Sequence, residues 1–215
     1  MSIVVVRSPT LGEGWIDVTR AVLQRGAIAS YDGQRTRELA LLTVVVESPS
    51  SEDETIARLG DPEWLAWMHE NFFVHKDVAE LGNAKSYAVR LFDYAGAGHD
   101  QIAWVVRRLR EDPESRSATI TTFQPLTDTT YIPCVSMLDF WLPEGAVELV
   151  VYAHSLDFGK KAYGNLVELE RLQEHVAGEL AAPVGRLVIH AKSARVYEPE
   201  WAAMAQIAGV AEPVA

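Results

Sequence analysis

Two apolar runs, Val135 to Leu142 and Val147 to Ala153, flank the turn-forming Pro143-Glu-Gly145. Short apolar runs bounded by turn residues predict strands, and two of them around one turn predict a hairpin. Pro133 lacks an N–H and fixes its own φ, so it suits the first position of a strand or an edge. Leu39 to Val46 predicts a buried strand, Ser117 to Phe123 a shorter one, and Arg186 to Tyr197 a last one that Gly185 leads into and Pro199 stops. Helical spacing of apolar positions appears in Pro62 to Phe73 (Leu65, Met68, Phe72) and His99 to Arg110 (Ile102, Val105, Val106, Leu109), the latter closed by Asp112-Pro113. It recurs in Asn165 to Leu180, where Asn165 is placed to cap the helix. Tyr31 to Arg37 reads as a turn carrying Arg35 and Arg37, Ser48 to Glu54 as a loop or helix start, and Ala208 to Ala215 as a short mobile tail. These elements predict a single α+β domain over 1–215: one large mixed or antiparallel sheet with helices packed on one face.

Composition narrows the partners. A chain of 215 residues, 48% hydrophobic and 23% charged, is long enough to bury a substantial core without disulfides, and its one cysteine suits a reducing cytoplasm. A net charge of −11, from 19 basic and 30 acidic residues, argues against a polynucleotide partner while leaving room for a local basic pocket that holds one nucleotide. No apolar run approaches the length of a membrane span, and Met1 to Arg7 is too short for a signal peptide. No cluster suggests a metal site.

The predicted hairpin carries the candidate chemistry. If its strands pair around Pro143, the start of the first lies beside the end of the second, which brings Cys134 near His154-Ser-Leu-Asp157. A thiol reacts as its thiolate, and a nearby cation lowers its pKa, so such a cysteine could attack an electrophilic carbon. Taken alone, a free cysteine is more often a buried structural residue.

From about Tyr87 to Tyr197 the chain resembles the thymidylate synthase family, especially its short archaeal-type members. The pieces that carry the resemblance stand in the family's order: Tyr87-Ala-Val-Arg-Leu91, His99-Asp-Gln-Ile102, Asp112-Pro-Glu-Ser-Arg116, Pro133-Cys134, His154-Ser-Leu-Asp157, Asn165 and Arg195-Val-Tyr197. The resemblance implies a thymidylate synthase-like fold, a homodimer and a folate-dependent one-carbon transfer to C5 of a pyrimidine nucleotide, with 5,10-methylenetetrahydrofolate as donor. It implies Cys134 as the nucleophile that adds to C6, Asn165 on the pyrimidine edge, Tyr197 on the sugar hydroxyl, and Ser155 and Arg116 on phosphate. Arg116 would reach the partner subunit's substrate. Tyr87 would assist proton removal or water ordering, Asp157 would face the folate, Arg35 or Arg37 would be a further phosphate ligand, and Glu47 or Glu70 would order water over the ring.

Some positions depart from the family pattern. His154 stands where the family has an arginine beside the nucleophile, and it offers positive charge only when protonated. Arg195 stands where the family has a histidine and could restore charge from another direction; Val135 and Ser117 replace a histidine and an arginine. In the family, asparagine at the position of Asn165 goes with uracil, which favours a substrate such as dUMP. Two alternatives stay open: a hydroxymethylase acting on CMP or dCMP, as in nucleoside-antibiotic or modified-nucleotide metabolism, and a catalytically degenerate nucleotide-binding homologue.

Overall fold

The computed structural model describes residues 3–74, 77–129 and 131–213. In chain order the elements are β1 (Val4–Ser8), α1 (Leu11–Arg25), β2 (Ala27–Tyr31), β3 (Gln34–Val46), α2 (Glu54–Leu59), α3 (Pro62–Phe73), β4 (Asp77–Val78), β5 (Ala84–Lys85), α4 (Tyr87–Phe92), α5 (Gln101–Glu111), β6 (Ala118–Thr121), β7 (Val135–Trp141), β8 (Val147–Ala153), β9 (Leu156–Asp157), α6 (Ala162–Leu180), β10 (Val184–Tyr197) and α7 (Trp201–Ala208).

Eight strands form one mixed sheet in the order β1-β3-β10-β8-β7-β6, with β2 paired to β3 and β9 to β10; β4 and β5 form a separate pair. The β7–β8 hairpin is antiparallel, whereas β8 runs parallel to β10 and β10 antiparallel to β3. Register decides which face is buried, because side chains alternate along each strand. Ile120, Leu138, Val151, Ile189, Val44 and Val6 lie in one cross-strand row, and all but Val6 are at most 5% exposed. The neighbouring row, Thr121, Met137, Tyr152, His190, Thr43 and Val5, points the other way and leaves Met137, Tyr152 and Val5 exposed. Helices α1, α5 and α6 pack on the first face, so the predicted α+β arrangement with helices on one face holds. Each fully buried Val, Leu or Ile contributes about 1.5–3 kcal/mol relative to exposure, so this face dominates the stability of the sheet.

Local sequence sets the element ends. Asp53, Asp61, Ser86 and Asp100 cap α2, α3, α4 and α5 through side-chain oxygens that accept backbone N–H bonds. Asp32 and Gly33, both at positive φ, make a two-residue turn between β2 and β3. The turn is therefore shorter than the stretch Tyr31 to Arg37 suggests: Arg35 and Arg37 belong to β3. Asn165 is not a cap, since α6 begins after Lys161 and Asn165 sits a full turn inside it. The C-terminal stretch is also more ordered than expected. Ala208 ends α7 buried, and Val210 donates its N–H to the Ala205 carbonyl at 3.0 Å. Among the described residues no helix is long and apolar enough to cross a membrane.

Candidate active site

The backbone of the hairpin delivers the thiol to its neighbours. Cys134 immediately precedes β7 and His154 immediately follows β8, and the His154 N–H donates to the Cys134 carbonyl at 3.0 Å. Beyond His154 the chain forms β9 alongside β10, pairing Leu156 with Ala194 and Asp157 with Arg195. The turn that follows is pinned from two sides: Trp15 Nε1 donates to the Phe158 carbonyl at 2.9 Å, and Phe158 N–H donates to the Arg195 carbonyl at 2.8 Å. Helix α6 then enters with Lys161 and Asn165 on the same side. Gly164 lets it approach α3 closely, since a Cβ there would stand 3.2 Å from that of Met68.

These elements enclose a cavity of about 700 Å³. Of the residues singled out in the sequence, Cys134, His154, Ser155, Asp157, Asn165, Arg195 and Tyr197 all line it. Tyr87 does not; it is buried behind the cavity, its ring stacked on Phe72 with centroids 4.4 Å apart and its hydroxyl accepting from the Val135 N–H at 2.9 Å. Arg35 also lies elsewhere, because its guanidinium is held by Glu198 at 2.7 Å against Trp201. Arg37 bonds the Gly26 carbonyl at 3.0 Å on the same side. Arg116 is exposed on the connection before β6 and does not line the cavity of its own chain. Glu47 pairs with Arg7 on the surface at 2.9 Å, and Glu70 is exposed on α3, so neither is at the cavity.

The profile of the thymidylate synthase family matches residues 44–210. This chain belongs to the thymidylate synthase family. A protein of Methanosarcina acetivorans, provisionally named a thymidylate synthase, is 31% identical over 205 residues, covering 92% of this chain and 91% of that protein. One of Methanothermobacter thermautotrophicus with the same provisional name is 30% identical over 203 residues, covering 87% and 90%. A third, from Methanopyrus kandleri, is 35% identical over 118 residues, covering 54% and 56%.

Against the family pattern, the charges around the sulfur are redistributed. Burial pushes the Cys134 thiol up, Lys161 and Arg195 pull it back, and Asp157 pushes it up again. The Tyr131 hydroxyl is placed to donate a hydrogen bond to the sulfur, and burial holds that phenol well above its usual range. Burial, and then the charges of Lys192 and Arg195, depress His154, whose Nδ1 lies 3.3 Å from Ser136 Oγ. Both effects favour the uncharged imidazole. Burial raises the Asp157 carboxyl, although Gly159 N–H donates to it at 3.0 Å.

Arg195 is the built cation of the site. It is 4% exposed, its guanidinium stacks 3.6 Å from the Tyr31 ring centroid and 5.9 Å from that of Tyr197, and its Nη1 has no hydrogen-bond partner among the described residues. A buried guanidinium N–H left unpaired is costly, so this nitrogen is suited to an acceptor on a ligand.

Tyr31, Asp32, Tyr131 and Lys161 also line the cavity. Lys161 had a sequence signal, lying four residues after Asp157 and four before Asn165. Tyr131 lies three residues before Cys134. Tyr31 and Asp32 reach the site only through the β2–β3 turn.

A second recess of about 690 Å³ lies around Phe73, Val89 and Phe92. Among the described residues that line it, Arg90 is paired with Asp128 and Lys85 with Asp77, and there is no cysteine.

Proposed function

We propose that this chain is an enzyme that transfers a one-carbon unit to C5 of a pyrimidine nucleotide, with a uracil nucleotide such as dUMP favoured. The observation that carries the reading is the convergence of Cys134, Ser155, Asp157, Asn165, Arg195 and Tyr197 on one nucleotide-sized cavity. Pyrimidine C5 is a poor nucleophile, and covalent addition at C6 divides the difficult step. The Cys134 thiolate bonds to C6, the ring electrons move toward O4, and C5 becomes enolate-like. Once C5 has gained its carbon and passed its proton to water, C5=C6 re-forms as the C6–S bond breaks and that bond's electron pair returns to sulfur.

The remaining residues orient the nucleotide. The Asn165 amide has a donor and an acceptor and so complements the N3–H and O4 of uracil. Ser155 and the free N–H of Arg195 suit the phosphate and sugar oxygens, with Tyr197 beside them. Tyr87 acts from behind, holding the start of β7, and through it Cys134, by its bond to Val135.

The residues present fit 5,10-methylenetetrahydrofolate, whose bound form would supply the methylene carbon and, for a methyl product, a hydride. Asp157 offers a buried carboxyl to pterin N–H groups. Lys160 and Lys161, held over the Trp64 ring 4.9 and 5.3 Å from its centroid, suit an anionic tail.

We further propose a homodimer through the open sheet face, where Val5, Met137, Trp141 and Tyr152 are exposed together. Such a dimer gives Arg116 a route to the partner's substrate.

The experiment is release of tritium from C5-labelled dUMP, UMP, dCMP and CMP, with and without methylenetetrahydrofolate. Folate-dependent release from a uracil nucleotide is the expected result, and release from a cytosine nucleotide alone would reassign the base. Absorbance of dihydrofolate separates methyl from hydroxymethyl transfer. No release from any of the four would leave a nucleotide-binding homologue without turnover.

A further inference from the structure

We propose that Lys161 supplies the positive charge that sustains the Cys134 thiolate, a charge carried at the entry of α6 instead of at the end of β8. The inference deepens the reading of Cys134 as a nucleophile and takes its meaning from it. A partly buried thiol on a cavity wall needs a cation nearby to ionise, and burial with the charges of Lys192 and Arg195 pushes the neighbouring His154 imidazole toward its uncharged form.

Lys161 meets the geometric requirements. It lines the same cavity as Cys134, and its backbone is fixed on both sides, its N–H donating to the Asp157 carbonyl at 3.1 Å and its carbonyl accepting from the Asn165 N–H at 3.2 Å. Its ammonium lies over Trp64, 5.3 Å from the ring centroid, and among the described residues no carboxylate lies within ion-pair distance of it. The start of α6 has no side-chain cap, so the partial positive charge of a 19-residue helix adds to that of the lysine. The other titratable groups that act on the sulfur are Arg195, Asp157 and Tyr131 around the cavity and Tyr87 behind it. Arg195 is stacked between Tyr31 and Tyr197, Asp157 opposes ionisation, and the two phenols are neutral. Lys161 and Arg195 are the two cations that favour the thiolate, and Lys161, which also serves the Asp157 carboxylate, is the one carried at the entry of α6. On ionisation the thiol proton leaves to solvent, the ammonium keeps its own protons, and the new thiolate is its counter-ion.

Cys134 is the only cysteine of the chain, so its reactivity can be read without background. The test is the rate of alkylation by iodoacetamide, an uncharged reagent, at about pH 8 without nucleotide or folate. It compares the native protein with Lys161→Gln, Lys161→Met and Lys161→Arg, each checked for native circular dichroism. An opposite charge at close range moves a pKa by at least about one unit, so the two neutral variants should react roughly tenfold more slowly, and Lys161→Arg should react at close to the native rate. A folded neutral variant that reacts at the native rate overturns the proposal, as does a Lys161→Arg protein as slow as Lys161→Gln. Because no substrate is present, the outcome is independent of turnover. Slow alkylation of the neutral variants together with absence of tritium release would support the role of Lys161 and remove the proposed reaction, while unchanged alkylation with normal release would do the reverse.

Discussion

The His154 N–H donates to the Cys134 carbonyl at 3.0 Å, which closes the open end of the β7–β8 hairpin and fixes the thiol beside the Ser155–Asp157 segment. The bond uses the His154 backbone, not its ring, and burial with the charges of Lys192 and Arg195 pushes the imidazole toward its uncharged form. His154→Gln should therefore change alkylation of Cys134 by less than about twofold near pH 8, whereas His154→Arg, which brings a permanent charge, should speed it roughly tenfold. Measured alkylation rates check both, and a strong slowing in His154→Gln would mean that the ring does contribute charge.

Arg195 lines the cavity and carries a buried Nη1 without a hydrogen-bond partner among the described residues. A hydrogen bond to a charged group contributes about 1.5–3 kcal/mol, so Arg195→Gln should weaken nucleotide binding by roughly ten- to hundredfold. Tyr31→Phe keeps the aromatic face over the guanidinium and should bind almost normally. Titration calorimetry with the nucleotide that releases tritium distinguishes the two.

Much of this was legible in the sequence because periodicity survives folding. The strands around Pro143 and the helix Pro62 to Phe73 follow from local pattern, and the register of β7 with β8 then brings Cys134 to His154. The misreadings have tertiary causes. Arg35 and Arg37 stand near a turn, but the Asp32-Gly33 turn closes in two residues and aims them at Trp201. Asn165 looks like a cap, yet the chain pinned through Phe158 starts the helix early and leaves Asn165 inside it, facing the cavity. Tyr31 lies more than a hundred residues from Cys134, and only the β3–β10 pairing makes them neighbours.

Arg90 and Asp128 form a buried two-pronged pair, both bonds 2.8 Å, and Arg90 also donates to the Thr122 carbonyl at 2.7 Å. Removing one partner leaves the other charge buried, so Arg90→Leu should destabilise the protein by roughly 3 kcal/mol or more in urea unfolding. Burial opposes the ionised Asp128 carboxylate, but its bonds to Arg90 and to the Gln124 N–H outweigh it and hold the carboxyl below its ordinary value. The unfolded chain thus takes up this proton first as the solution is acidified. The stabilisation is present above the unfolded pKa of about 4 and is lost as pH falls through the lower folded value. Native Asp128 should make stability fall with acid in that range, and Asp128→Asn should flatten this part of the curve.

The open sheet face predicts two copies of the chain in solution. Tyr152→Glu or Met137→Glu places a charge among Val5, Met137 and Tyr152 and should give a monomer by light scattering, with secondary structure retained. A native protein that is already monomeric would remove the proposed dimer and the route for Arg116.

The proposed reaction turns on a bond between the Cys134 sulfur and pyrimidine C6. A nucleotide with fluorine at C5 has no proton to lose there, so addition should stop at a covalent adduct that survives denaturation. Intact-protein mass spectrometry after incubation with 5-fluoro-dUMP and methylenetetrahydrofolate should show that added mass, localised to the peptide containing Cys134 and absent from Cys134→Ser. No adduct with any 5-fluoropyrimidine nucleotide, under conditions where iodoacetamide still reaches the same sulfur, would contradict the account.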